Sequence, residues 1–94
     1  MNEVLNILKA EKEHLRNAYG VEEIALFGSY AKNTANKGSD VDLLIKFKQP
    51  SYNALMDVYL YLEKKLNRKV DIICKHKFLS KRFFETIQNE LIYA

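Results

Sequence analysis

One cysteine, one proline and three glycines are all that 94 residues hold of the types that most often staple, break or loosen a chain. The single Cys74 excludes an internal disulfide framework and points to a reducing compartment, so a cytoplasmic location is expected. With 48% apolar and 29% charged residues, the low proline and glycine content excludes a disordered chain. No apolar run approaches the roughly 20 residues of a membrane span, and MNEVLNILKAEKEH mixes charges into its apolar positions, so no signal-peptide core is expected. The net charge of +3 suits an anionic ligand such as a nucleotide but is too small and scattered to indicate duplex DNA. Linkers, low-complexity tracts and solenoid-length repeats are absent. The length predicts one small domain, residues 1–94, able to bury roughly 60–65% of its unfolded surface. It leaves no room for a second substrate domain, so an enzyme of this size is expected to have an open cleft that something else completes.

What is present is strongly patterned. Val4, Leu5, Leu8, Leu15, Ala18 and Tyr19 fall at helical spacing over residues 3–19, and Gly20 stands where a helix stops. Val21 to Phe27 reads as a strand ending at Gly28, and the first turn of the polar segment after it (SYAK) has helical character. Asp40 to Phe47 is a second strand, with Val41, Leu43, Ile45 and Phe47 alternating onto one face. Gln49-Pro50 breaks it. Ser51 is the predicted N-cap of a helix through about Asn67, with Leu55, Val58, Tyr59, Leu62 and Leu66 as its apolar stripe. Arg68 to Lys75 is a third strand, Ser80 to about Asn89 a last helix, and Leu91-Ile92-Tyr93 a short edge strand. The order α-β-(short α)-β-α-β-α-β predicts an α/β or α+β domain, a sheet covered by helices. Periodicity leaves open whether the helix between the second and third strands returns the chain parallel or antiparallel.

The chemistry concentrates in three carboxylates. Gly38-Ser39-Asp40-Val41-Asp42-Leu43 puts two acids two residues apart at the head of an apolar run, where in a strand they share a face. The second and third strands read alike: Val41-Asp42-Leu43-Leu44-Ile45-Lys46 and Val70-Asp71-Ile72-Ile73-Cys74-Lys75. If they are neighbours in register, Asp71 lies beside Asp42, and three acids converge at one end of a sheet. Like charges at the rim of a core repel and resist desolvation, so something must compensate them. Lys46 or Lys75 could pair with them structurally. Neither His14 nor His76 lies near the acids in sequence, which argues against a zinc site. An all-oxygen donor set fits a hard cation, Mg²⁺ or Mn²⁺.

Upstream, the buried-looking strand Ile24–Phe27 ends abruptly in Gly28-Ser29. Glycine permits positive φ and close approach of a ligand to the backbone, and an outward N–H at a helical turn favours an anion, phosphate above all. A strand-to-helix turn alone is commonplace. The distance gives it meaning, because the ten residues between Ser29 and Asp40 can bring a phosphate cradle beside a metal site.

A strand ending in Gly28-Ser29, ten residues, Asp40-Val41-Asp42-Leu43 and a later Asp71 together resemble the signature of the DNA polymerase β-type nucleotidyltransferases. The phrase GSYAKNTANKGSDVDLLIKF and the small size most resemble the minimal nucleotidyltransferases (MNT) that accompany HEPN-domain proteins, over about Val21 to Ala94. The resemblance implies a small mixed sheet packed against helices and a single domain, residues 1–94. It implies two Mg²⁺ ions (or Mn²⁺) held by Asp40 and Asp42, with Asp42 bridging, and Asp71 completing the acceptor-side ion and available for the hydroxyl proton. Gly28 and Ser29 would cradle the β- and γ-phosphates, with Lys32 and Lys37 as further phosphate contacts. Tyr30 is a candidate for stacking on a base, although a tyrosine after such a turn more often packs on the core edge. Many relatives carry Arg-Gly where this chain has Lys32-Asn33, so a guanidinium fork is replaced by a point charge. Asparagine still tolerates the left-handed turn.

The activity implied is transfer of AMP from ATP to a hydroxyl of a partner HEPN toxin, a tyrosine being the expected acceptor, with the chain acting as antitoxin in a hetero-oligomer. The alternative is a non-catalytic antitoxin that masks its partner by complex formation. Transfer to RNA or a small molecule is disfavoured, because no basic stripe with interleaved aromatics appears and no second domain is present.

Overall fold

The apolar spacing at the N-terminus folds as an amphipathic helix, α1 (Glu3–Tyr19), burying Val4, Leu8 and Leu15. Glu3 in its first turn and Arg16 in its last complement the helix dipole. Gly20, at φ +71°, ends it, its N–H donating to the Arg16 carbonyl at 3.1 Å. The computed structural model describes residues 3–36, 38–75 and 80–94. Strand β1 (Val21–Phe27) runs into a 3₁₀ turn at Gly28–Tyr30, and β2 (Val41–Phe47) follows the loop. Helix α2 (Tyr52–Leu66) starts at Ser51, whose hydroxyl accepts the Ala54 N–H at 3.0 Å, and ends at Asn67 in the left-handed region. Strand β3 (Val70–Cys74), helix α3 (Lys81–Ile87) with a terminal 3₁₀ turn at Gln88–Glu90, and β4 (Ile92–Tyr93) complete the chain. Several expected boundaries shift: β2 begins at Val41, leaving Asp40 in the loop; β3 is confined to Val70–Cys74; the last helix tightens to 3₁₀ geometry after Ile87; and β4 begins at Ile92 instead of Leu91.

The strands form one mixed sheet in the order β3-β2-β1-β4, with β1 antiparallel to β2 and β4 and with β2 parallel to β3. Thus α2 is a crossover, resolving the choice periodicity left open. Its alternation divides the core in two. Val21, Ile24, Leu26, Val41, Leu43, Ile45, Val70 and Ile72 face α1 and α2, where Leu8, Leu15, Val58, Leu62 and Leu66 meet them. Ala25, Phe27 and Leu44 face the other way, under Ile87, Phe83 and Phe84 of α3. Long helices therefore cover one face of the sheet and a short one the other. The carboxylates lie on the thinly covered face.

Edge strand β3 is held from outside by α2. The Ile72 N–H donates to the Tyr59 hydroxyl at 2.9 Å, and the Val70 N–H donates to Glu63 Oε2 at 3.2 Å. These N–H groups alternate with those that pair with β2, so the two side chains satisfy donors that an exposed edge would offer to another strand. Asp71 sits between them. Among the described residues, no helix is long and apolar enough to cross a membrane.

Candidate active site

The parallel register pairs Val41 with Val70 and Asp42 with Asp71, and the antiparallel register pairs Asp42 with Phe27. One row across three strands thus reads Phe27, Asp42, Asp71. Its first member is buried under α3, with the Phe27 and Phe83 rings edge to face at 6.2 Å. Asp42 is half-buried and Asp71 exposed, so the covered face opens along this row. Asp40, just before β2, is exposed in the loop. Burial, and then the charges of Asp71, Asp40 and Glu90, push the Asp42 carboxyl above its ordinary pKa.

The lysines at the far ends of the same two runs are engaged elsewhere. Lys75 lies 3.0 Å from Glu23 and Lys46 lies 3.8 Å from the same residue, at the opposite end of the strands. The pairing of Lys46 or Lys75 with the aspartates is therefore replaced by pairing with Glu23. The register explains this: Glu23 is the direct partner of Lys46 in the antiparallel ladder.

Gly28 closes the site from the side of β1. Its φ is +73°, and a Cβ built on it would overlap Asp42 Oδ2, with Cγ at 3.2 Å and Cβ at 3.4 Å. Backbone and carboxylate can come this close only where no side chain intervenes. The turn then winds tightly, the N–H groups of Ala31 and Lys32 both donating to the Gly28 carbonyl at 3.1 Å. Asn33 takes the left-handed conformation, φ 59°, as expected for the residue replacing the usual glycine. Ser29 is half-buried, and its carbonyl accepts the Thr34 N–H at 2.9 Å. Downstream, the Asn36 side chain accepts the Gly38 N–H at 2.9 Å and the Asn36 N–H donates to the Ser39 hydroxyl at 3.1 Å, bracing the approach to Asp40. Tyr30 packs against the main core beneath the Arg68 guanidinium, 5.7 Å from its ring, as a core-edge aromatic does. Lys37 lies outside the described residues, as does His76.

Sequence reasoning missed Glu90. One carboxylate oxygen accepts the Gly28 N–H at 3.0 Å and the other lies 3.0 Å from Lys32 Nζ. The Lys32 hydrogen bond, then the Gly28 N–H, hold this carboxyl below its ordinary pKa. Glu90 is separated from Gly28 by 62 positions, and no spacing rule links them; only the docking of α3 and β4 on β1 does so. Lys32, read as a phosphate contact, is thus already paired with an anion.

The donor chemistry fits a hard divalent cation: Asp40, Asp42 and Asp71 offer carboxylate oxygens only, and their mutual repulsion is what such an ion would relieve. Among the described residues, however, no three acid, imidazole or thiol side chains stand close enough to chelate one ion. The register nonetheless places Asp42 and Asp71 side by side on neighbouring strands.

A nucleotidyltransferase domain family model matches residues 3–94. Protein adenylyltransferase MntA of Thermococcus cleftensis is 37% identical over 95 residues, covering 100% of this chain and 95% of that protein. A solved structure assigned as a minimal nucleotidyltransferase is 30% identical with a TM-score of 0.75, covering 94% of this chain and 93% of its own. The fold also recurs, at 21% identity and a TM-score of 0.65, in a chain of the complex of tri-AMPylated Shewanella oneidensis HEPN toxin with MNT antitoxin, covering 99% of this chain and 71% of that one. The chain belongs to the nucleotidyltransferase domain family, and its class is that of a small nucleotidyl-transferring enzyme.

Proposed function

We propose that this chain is a single-domain protein adenylyltransferase of the cytoplasm that moves AMP from ATP onto a tyrosine hydroxyl of a partner HEPN toxin, and so serves as its antitoxin. The observation that carries this reading is the row Phe27, Asp42, Asp71 with the Gly28 turn pressed against Asp42. It sets the side-chain-free backbone of the Gly28 turn directly against the paired carboxylates. The likeness to the Thermococcus protein supplies the adenylyl donor, and the recurrence of the fold in a HEPN–MNT complex supports the partner.

In this reading Asp40, Asp42 and Asp71 hold two Mg²⁺ ions, with Mn²⁺ as a substitute. When bound, the metals neutralise charge on the attacking and leaving oxygens of an in-line displacement. Gly28 and Ser29 seat the β- and γ-phosphates, with Lys32 and Lys37 adding positive charge at the loop. The acceptor oxygen forms a bond to the α-phosphorus as the bond to the bridging oxygen breaks. Pyrophosphate leaves, and Asp71, the most open of the paired acids, takes the hydroxyl proton. The exposure of Asp40 and Asp71 leaves the acceptor side to be walled by the partner, consistent with a small domain acting within a hetero-oligomer.

The test combines α-labelled ATP, Mg²⁺, the purified protein and lysate of the source cells, with an Asp40→Asn/Asp42→Asn variant alongside. A labelled protein band that depends on the aspartates supports transfer and identifies the acceptor. Label that stays in ATP, while both proteins retain the same partner, refutes transfer and leaves neutralisation by complex formation.

A further inference from the structure

We infer that Glu90 competes with a nucleotide phosphate for the same two donors, the Gly28 N–H and the Lys32 ammonium, and so sets the affinity of the site for its triphosphate. This deepens the nucleotide reading above and rests on it.

The argument is geometric. Gly28 Cα lies against the Asp42 carboxylate, and its N–H is bonded to Glu90 Oε1 at 3.0 Å. Glu90 Oε2 lies 3.0 Å from Lys32 Nζ. A carboxylate spanning a backbone N–H and an ammonium has the oxygen spacing and charge of two phosphate oxygens, and both donors form strong charge-assisted bonds with either anion. Glu90 cannot share them: a phosphate oxygen accepting from the same N–H would bring two anions into contact beside Asp42.

The position of Glu90 suits exchange. It lies in the 3₁₀ turn between α3 and β4, its side chain is 22% exposed, and Lys32 on the other side is 57% exposed. Neither group is locked in the core, so the carboxylate can swing out while Lys32 keeps its charge at the loop. The main alternative is that Glu90 is a structural staple that merely secures the Gly28 turn. The two roles predict opposite effects on nucleotide binding. Loss of a competitor tightens it, whereas loss of a staple loosens it.

The test is calorimetric titration with ATP and Mg²⁺, and separately with pyrophosphate, of the unaltered protein and of Glu90→Gln, Lys32→Met and the double variant. Glutamine retains an acceptor for the Gly28 N–H while its amide nitrogen gives Lys32 neither charge nor acceptor; circular dichroism checks that the fold is preserved. Glu90→Gln is expected to bind both ligands about two- to fivefold more tightly, as for an exposed charged pair given up before binding. In the Lys32→Met background that gain should fall to less than about twofold, because the contested cation is gone. Unchanged or weaker binding by folded Glu90→Gln overturns the inference while leaving the nucleotide site intact. A gain that survives Lys32→Met reduces Glu90 to a remote charge and also overturns it. If neither the unaltered protein nor any variant binds ATP, the nucleotide reading itself fails, and the inference with it.

Discussion

Gly28 and Asp42 share a space that admits one side chain, not two: a methyl on Gly28 would lie on the Asp42 carboxylate. The same glycine has φ +73°, a conformation costing an L-residue about 1 kcal/mol or more. Gly28→Ala is therefore expected to lower stability by about 1–2 kcal/mol in urea unfolding. Because the displaced group is the central acid of the row, transfer activity should fall by about a hundredfold even where the variant is fully folded. Activity within a factor of two of the parent, in a folded variant, would refute the assigned role of this turn.

Asp42 is the acid that pays electrostatically for the site. Its neighbours Asp71, Asp40 and Glu90 all oppose its ionisation. Asp42→Asn keeps the shape and removes the charge, so the metal-free variant should melt at or above the temperature of the parent protein. Millimolar Mg²⁺ should raise the melting temperature of the parent and leave the variant unchanged, since only a ligand that binds the native state stabilises it. Transfer should be abolished in the same protein. A variant that both loses stability and keeps its response to Mg²⁺ would show that the ion binds elsewhere.

The pH dependence of stability separates two carboxyls with opposite signs. Asp42 has a raised pKa in the folded chain, so its neutral form contributes stability below the unfolded pKa, and that contribution is lost as pH rises through the folded value. Glu90 has a lowered pKa, so its ion contributes above the unfolded pKa and the contribution is lost as pH falls through the folded value. In chelator, the stability of Asp42→Asn relative to the parent should therefore increase from about pH 4 to about pH 7. For Glu90→Gln the relative stability should instead decrease as pH rises toward about 5 and level off above it. Denaturant titrations at four pH values read both slopes, and Mg²⁺ should flatten the first.

Much of this architecture was legible because the local signals were redundant. The two Val-Asp-aliphatic runs at 41–46 and 70–75 anticipated the register that pairs Asp42 with Asp71, and Ser51 and Asn67 bounded α2 through cap chemistry. Gly28 announced its turn by ending a buried strand. What remained illegible depends on tertiary docking. The direction of the crossover is set by packing of α2 against the sheet, not by its periodicity. Glu23 could be read only as a surface acid until the ladder placed it beside Lys46 and Lys75. Glu90 has no local signature at all, since its partners Gly28 and Lys32 come from the other end of the chain.

Tyr59 was legible as part of an apolar stripe, but its hydroxyl has a separate role. It accepts the outward N–H of Ile72, the residue after Asp71, on the edge strand of the sheet. Removing it leaves a part-buried donor without its acceptor, at a cost of about 1–2 kcal/mol. Tyr59→Phe should thus lower urea stability by that amount while the ring continues to fill its place beside the core. The consequence should extend to the site, because Asp71 is carried by the same strand. Hydrogen exchange at Ile72 and its neighbours in β3 should accelerate selectively, with β1 little affected. Transfer activity of the folded variant should fall a few-fold, far less than for Asp42→Asn, since the carboxylate is loosened and not removed. Equal acceleration of exchange in β1 and β3 would mean that Tyr59 supports the whole domain and not the strand that positions Asp71.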